Sequence, residues 1–252
     1  MNRSLGRGLA RRLAPRVYVT DLGRVRLSVG DTEMAGGSIR RKVLAMLVYL
    51  LTRPQMTAAR EEVMDALWPN IDPDSAANSL NQTLYFLRRV FEPEYNEDNS
   101  PGYLRQESDL VLLDQDLVRA ASTDCQALIS QLDRDPSPEL VERLSLTYVG
   151  RFATDFAYED WAADHRDWLH VSYLQIMETA ITKDIAEGKF ARGIALARRA
   201  LEVDPRLDTL GLSLLKLLKG GGAHSAAAEQ YQRYATLLRE EIGIEPLPFD
   251  SV

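Results

Sequence analysis

The chain has 252 residues, of which 45% are hydrophobic and 27% are charged, a composition typical of globular proteins and a length sufficient for two domains. Its single cysteine, Cys125, excludes an intramolecular disulfide and favours a reducing, cytoplasmic location. The sequence contains no apolar run of about 18 residues, and we therefore expect no membrane-spanning segment.

The charge is distributed unevenly along the chain. Residues 1–92 contain 14 Lys and Arg against 9 Asp and Glu, whereas residues 93–252 contain 16 against 28. The formal net charge of −7 therefore combines a basic part of +5 with an acidic part of −12. This asymmetry indicates that only the first part meets a polyanion.

Residues 1–16 contain five arginines and no acidic residue. Arg and Gly interrupt every apolar pair, so the segment lacks the apolar core of a secretory signal peptide, although a transit peptide has a similar composition. We expect a disordered basic arm that adds non-specific attraction to phosphate groups.

The segment 17–36 alternates apolar and polar residues and carries turn signals at Gly23 and Gly30. This pattern predicts a small β-meander. The next apolar periodicity predicts a helix over 39–52, with Ser38 as its N-cap.

Three cations stand in the first turn of that predicted helix: Arg40, Arg41 and Lys42. The helix macrodipole favours negative charge at this end, so the cations need another explanation. Contact with DNA phosphates is one explanation, and a solvated surface cluster is the other.

Two further helices follow, over 57–68 and 74–92, separated by a proline-bounded loop over 69–73. Either Asp74 or Ser75 is expected to cap the second of them. Two short helices, a turn and a third helix form a helix-turn-helix.

The predicted helix 74–92 has an apolar face and an opposite polar face. The polar face carries Ser75, Asn78, Gln82, Tyr85 and Arg89, with Asn81 and Arg88 at its flanks. It contains no carboxylate, whereas solvated helix faces usually mix both charge signs. Asn and Gln can pair with adenine, and Arg can pair with guanine or phosphate. A solvated face is the alternative, but the pattern favours base reading by this helix, with Arg88 on the DNA backbone.

A hairpin follows the predicted reading helix. The run 103–106 and the run 110–113 flank a turn at 107–109, and this pattern indicates two antiparallel strands. A hairpin in this position is the wing of a winged helix, and its Arg105 and Gln106 would reach the adjacent backbone or the minor groove. The predicted first domain is therefore an α+β winged helix-turn-helix over 17–115.

The remaining residues, 116–252, predict an all-α domain. Gly188 and Gly222 are 34 residues apart, and several small and aromatic residues keep the same offset. A period of about 34 residues is that of the tetratricopeptide (TPR) repeat, a helix-turn-helix unit. Pro205 ends the first repeat unit.

Two sets of motifs carry a family resemblance. Residues 17–115 resemble the OmpR-type winged helix of SARP-like antibiotic-regulatory activators, through IRRKVLAML (39–47), REEVMDALWP (60–69), SLNQTLYFLRR (79–89) and GYL (102–104). Residues 116–252 resemble the bacterial transcriptional activator domain, through Tyr148, Gly150, Phe152, Trp161, the Asp204–Pro205 pair and the run Ile242–Pro246.

The resemblance implies a transcriptional activator that binds double-stranded promoter DNA and RNA polymerase. In OmpR-type proteins the loop before the reading helix contacts the polymerase, so the resemblance assigns that contact to Asn70, Ile71 and Asp72. It also implies a homodimer arranged head to tail on direct repeats, because family members bind such sites.

Nothing in the sequence indicates catalysis. His165 and His170 are five residues apart, not the four that place two metal ligands on one helix face, and Gly220–Gly222 lacks the lysine of a phosphate-binding loop. We therefore expect neither enzyme activity nor a cofactor or metal. The alternative function is a TPR-type module with a vestigial winged helix, in which a groove within 138–240 holds a basic peptide or a small effector.

Overall fold

The computed structural model describes residues 3–246 and 248–251. The chain divides into two units: Met1–Asp124 with Arg151–Asp167, and Cys125–Gly150 with Trp168–Val252. Among the described residues, none of the helices combines the length and apolar character that crossing a membrane requires.

The first unit contains helices and short strands. In chain order they are α1 (Arg3–Leu13), β1 (Val17–Thr20), β2 (Arg26–Val29), β3 (Thr32–Ala35), α2 (Arg41–Leu51), β4 (Thr57–Ala59), α3 (Arg60–Leu67), α4 (Pro73–Phe91), β5 (Leu104–Glu107), β6 (Leu110–Leu113) and β7 (Val118–Ala120).

Two small sheets flank the helices of the first unit. The predicted meander corresponds to β1, β2 and β3, and β7 adds a fourth strand parallel to β1, in the order β3-β2-β1-β7. The predicted hairpin corresponds to β5 and β6, in register Leu104↔Leu113, and β4 adds a third strand beside β6. The sequence did not indicate β4 or β7 because three residues are too few for an alternating pattern.

Helices α2, α3 and α4 pack on one another in the core of the first unit. Every residue of α2 from Val43 to Leu51 is buried, which explains its continuous apolar run. The apolar face of α4 is buried through Ala76, Leu80, Leu84, Leu87 and Phe91.

The N-terminal segment departs from the prediction of a disordered arm over 1–16. Arg3–Leu13 form α1, and Arg11 anchors it by donating to Asp114 Oδ1 at 2.9 Å and to Asp116 Oδ2 at 2.8 Å. Burial alone would raise the pKa of Asp114, but the hydrogen bonds from Arg11 hold it below its usual value. The sequence could not reveal this order, because the acidic partners lie more than 100 residues away.

The helix starts also differ from the predicted ones. Ser38 does not cap α2, because its hydroxyl donates to the Ala35 carbonyl and Arg40 occupies the N-cap position. The predicted helix over 57–68 begins only at Arg60, after β4. Asp72, not Asp74 or Ser75, caps α4: its carboxylate accepts the Ser75 backbone N–H at 3.0 Å.

The predicted domain boundary after residue 115 does not coincide with the division of the structure. The segment 151–167 belongs to the first unit because its backbone completes bonds along 21–25. Ala153 N–H donates to the Asp21 carbonyl at 2.7 Å, and Val25 N–H donates to the Asp155 carboxylate at 2.7 Å. Arg166 adds hydrogen bonds to carbonyls within the same segment.

The second unit is helical. Its elements are α5 (Ala121–Leu132, with the first turn in the first unit), α6 (Pro138–Thr147), α7 (Asp160–Ala186, with the first two turns in the first unit), α8 (Phe190–Val203), α9 (Asp208–Gly220) and α10 (His224–Leu237), followed by a π-helical turn, Leu238–Ile242. Gly188 and Gly222 precede α8 and α10 with φ values of 69° and 74°, so the repeat marks two equivalent left-handed turns.

Candidate nucleic-acid interface

The outer face of α4 exposes the predicted reading residues in one strip. Asn78, Gln82, Tyr85 and Arg89 are all exposed and follow one another at helical spacing. Asp74 is exposed one turn before Asn78 and bounds the strip, which is free of carboxylates from there to Arg89. At about 1.5 Å per residue the four positions cover about 16 Å along the helix, close to the length of five stacked base pairs at about 3.4 Å each.

Arg89 is held at the C-terminal end of this strip. Its guanidinium lies 5.2 Å from the ring centroid of Tyr85, and its Nη1 donates to the Pro93 carbonyl at 3.1 Å. These two contacts restrict the side chain. The other N–H donors of the guanidinium make no hydrogen bond with the described residues. The arrangement can present donors and an aromatic face to a groove without a large ordering cost.

Arg88 and Gln106 join α4 to the hairpin. Arg88 Nη2 donates to Gln106 Oε1 at 2.9 Å, and the guanidinium lies 5.6 Å from the ring of Tyr95. Arg88 is half-buried, and its Nε has no hydrogen-bond partner among the described residues. On the exposed strand β5, Arg105 pairs with Glu107 at 3.1 Å and lies 3.6 Å from Asp114.

The cations at the start of α2 have partners inside the protein. Arg41 pairs with Glu159 at 3.1 Å, and Lys42 donates to the Leu67 carbonyl, which lies at the C-terminal end of α3. The Arg40 guanidinium lies 3.8 Å from the ring centroid of Phe86 and makes no hydrogen bond or ion pair with the described residues, whereas the Arg40 carbonyl accepts the Val43 and Leu44 N–H groups. The internal contacts account for Arg41 and Lys42 despite the macrodipole, and Arg40 has the most donors left for a phosphate.

The loop before α4 exposes the three residues assigned to the polymerase. Asn70, Ile71 and Asp72 are exposed, and Ile71 keeps 44% of its surface accessible. The backbone hydrogen bond from Ser75 lowers the pKa of Asp72, as expected for a carboxylate that caps a helix. Asp72 therefore has a structural role in the loop. The Asn70 side chain makes no hydrogen bond with the described residues, and Ile71 contributes a backbone N–H that donates to the Trp68 carbonyl at 3.4 Å.

One contact at this face was not indicated by the sequence. Arg60, the first residue of α3, donates to Asn81 Oδ1 at 2.9 Å and so fixes the amide at the flank of the strip. The two residues are 21 positions apart, and no local pattern connects them.

The net charge of the first unit differs from that of the basic N-terminal part. Because the unit includes 93–124 and 151–167, it contains 18 Lys and Arg against 22 Asp and Glu. Any attraction to a polyanion must therefore come from the positions of its cations and not from its total charge.

Comparison with known proteins identifies the family to which the chain is similar. The profile of the bacterial transcriptional activator domain matches residues 113–249. The regulatory protein AfsR of Streptomyces griseus is 26% identical over 230 residues, which cover 91% of this chain and 23% of AfsR. The transcriptional regulatory protein MoaR1 of Mycobacterium tuberculosis is 28% identical over 250 residues, 90% of this chain and 74% of MoaR1.

A solved structure of Mycobacterium tuberculosis EmbR, in complex with a low-affinity phosphopeptide, has the same fold over 93% of this chain and 63% of the EmbR chain, with a TM-score of 0.60 and 17% identity. The chain spans less than a quarter of the length of the AfsR proteins that it matches.

Proposed function

Because this chain belongs to the bacterial transcriptional activator domain family and is similar to SARP-like regulators, we propose that it activates transcription by reading promoter DNA with α4. The observation that carries the proposal is the exposed strip of Asn78, Gln82, Tyr85 and Arg89. These side chains supply the donors and acceptors that distinguish base pairs in the major groove.

The proposed reader is a winged helix. In it α2 and α3 support α4, and the β5–β6 hairpin is the wing. A helix with its side chains is about 10–12 Å wide and fits a major groove about 12 Å wide. The bond between Arg88 and Gln106 supports a fixed wing position, which would place Arg105 near the flanking backbone.

We also propose that Asn70 and Ile71 contact RNA polymerase. The support is an exposed apolar side chain in a loop that Pro69 and Pro73 restrict, so that binding would order little additional chain. On promoter DNA we expect two copies arranged head to tail on a direct repeat, and footprints should then show two half-sites in the same orientation.

The first experiment identifies the DNA. Genomic fragments retained by the full chain are sequenced, and anisotropy titrations compare the recovered site with random DNA of equal length. Arg89→Ala should reduce the preference for the recovered site by about 1–3 kcal/mol. Arg40→Ala should weaken binding to both DNAs alike and reduce the dependence on salt by about 0.9 in the logarithmic slope.

The control is Arg143→Ala, which removes an exposed arginine from α6 in the second unit and should change neither affinity. An equal loss on both DNAs for Arg89→Ala would remove the base-reading role. If the wild-type chain retained no DNA at low salt, the TPR-type interaction module would become the better description.

A further inference from the structure

The second unit contains a cavity of about 410 Å³ that the proposed function does not use. Its volume lies within the range of small-molecule sites, about 300–1,000 Å³. One wall is a single face of α7, because Ile176, Thr179, Ala180 and Lys183 follow helical spacing. The lining between the end of α5 and α6 is apolar apart from Asp133, and it consists of Leu132, Pro136, Pro138 and Val141.

One end of this cavity is cationic. Lys183, Lys189 and Arg192 line it, and the only carboxylate among the described lining residues is Asp133. Both lysines also approach Glu187, Lys189 at 2.6 Å and Lys183 at 4.0 Å. Of these three cations, only Arg192 has a planar guanidinium that can bind a carboxylate at two points.

Arg192 is held from outside the cavity by a buried carboxylate. Its Nε donates to Asp184 Oδ2 at 2.8 Å, and Asp184 is fully buried. A bidentate pair would satisfy both carboxylate oxygens, but here Oδ1 has no partner among the described residues. The single bond leaves both terminal amino groups of Arg192 without a hydrogen bond to the described part of the chain.

We propose that this cavity binds a small apolar molecule bearing one carboxylate. The apolar body lies between α6 and α7, and the carboxylate accepts hydrogen bonds from the terminal amino groups of Arg192. The charge of the lining opposes a basic peptide at this position. A guanidinium pre-oriented by Asp184 is the arrangement that recognises a planar carboxylate in two-point fashion.

Octanoate and 2-naphthoate are suitable probes, because they combine one carboxylate with a linear or an aromatic body. Isothermal titration of the full chain should give saturable one-to-one binding with at least one of them. Octan-1-ol keeps the chain length of octanoate but removes the charged acceptor, and we expect it to bind about tenfold more weakly.

Two variants locate the site. Ile176→Trp fills the cavity from α7 and should abolish binding, whereas Val171→Trp, at an exposed position of the same helix, should leave it within about twofold. Arg192→Lys keeps a cation beside Asp184 but removes the fork, and should weaken binding about tenfold. Arg143→Lys is its control at an exposed position of α6.

Melting temperatures identify variants that fail to fold, and the comparison of octanoate with octan-1-ol uses only the wild-type chain. The proposal is overturned if neither acid binds saturably, or if the alcohol binds as tightly as the acid. Binding that persists unchanged in a folded Ile176→Trp protein also overturns it, because the ligand would then lie elsewhere.

Discussion

Replacing His165 by phenylalanine should change how the stability of the first unit depends on pH. The ring is mostly buried, meets Phe152 edge-on at 4.6 Å between centroids, and its Nε2 has no partner among the described residues. Burial, with a smaller contribution from Arg53, lowers the pKa of His165 from 6.5 to about 4. Between about pH 4 and pH 6.5, His165 therefore stays neutral in the folded protein but is protonated in the unfolded chain.

Proton linkage gives the direction in which the unfolding free energy changes with pH. Between the unfolded and folded pKa values the unfolded state binds more protons, so stability falls as the pH drops below 6.5 and this loss is complete near 4. At about 1.4 kcal/mol per pH unit, His165 should cost about 2 kcal/mol of unfolding free energy between about pH 8 and about pH 5.

Asp21 acts in the opposite direction in the same unit. It is fully buried, and burial raises its pKa to about 6 although Ser122 donates two hydrogen bonds to it. The folded state keeps its proton, so this contribution is present at low pH and is lost as the pH rises through 6. Acidification to about pH 5 should gain about 1.4 kcal/mol from Asp21, which largely offsets the loss from His165.

Urea unfolding at about pH 8 and about pH 5 measures the contribution of His165 to the unfolding free energy. In a Trp168→Phe background the remaining tryptophans, Trp68 and Trp161, both lie in the first unit, so their fluorescence reports on that unit. The pH-dependent change should differ between the parent and His165→Phe by about 2 kcal/mol, and groups common to both proteins cancel. Parallel changes in the two proteins would refute the assignment of a buried neutral His165.

The other predictions concern the loop before α4 and the glycines of the repeat. Ile71→Ser should leave DNA affinity and melting temperature unchanged but reduce transcription in a purified polymerase assay several-fold; full transcription would place the polymerase contact elsewhere. Asp72→Ala should instead lower the melting temperature, because it removes the N-cap, and an unchanged melting temperature would contradict that role. Gly193→Ala should destabilise the protein, because a Cβ there would lie 2.6 Å from Leu217 Cδ2. Gly211→Ala meets no atom closer than 3.6 Å and should stabilise the protein by up to about 1 kcal/mol. Equal effects of the two variants in thermal melts would argue against this packing.

Local signals in the sequence were sufficient for much of the fold. The stripe of α4, the alternation of the hairpin and the glycine pair Gly188 and Gly222 each depend on neighbours within a few turns. The exposure of Asn78 and Gln82 could be read from the same periodicity, because the buried face of a helix fixes the opposite one. Their role in base reading stays a prediction.

What the sequence could not reveal depends on partners far along the chain. Arg11 and Asp114 are 103 residues apart, and Arg41 meets Glu159 across 118 residues. A cation in a first helical turn looks available to DNA until its internal acceptor is known. The prediction that Asp74 or Ser75 caps α4 was wrong for a local reason. Asp72, Asp74 and Ser75 are all good N-cap residues, and only the backbone geometry selects one of them.

The return of residues 151–167 to the first unit has a consequence for how the protein is made. The ribosome finishes α4 at Phe91, but the segment that bonds to Asp21 and Val25 ends only at Asp167. At about 5–20 residues per second, this separation corresponds to roughly 4–15 s of translation. During that interval the nascent first unit lacks the backbone hydrogen bonds that residues 151–167 supply, while α5 and α6 emerge. A chain stalled within those two helices would expose an incomplete first unit to proteases, whereas one stalled well beyond Asp167 would carry a complete first unit.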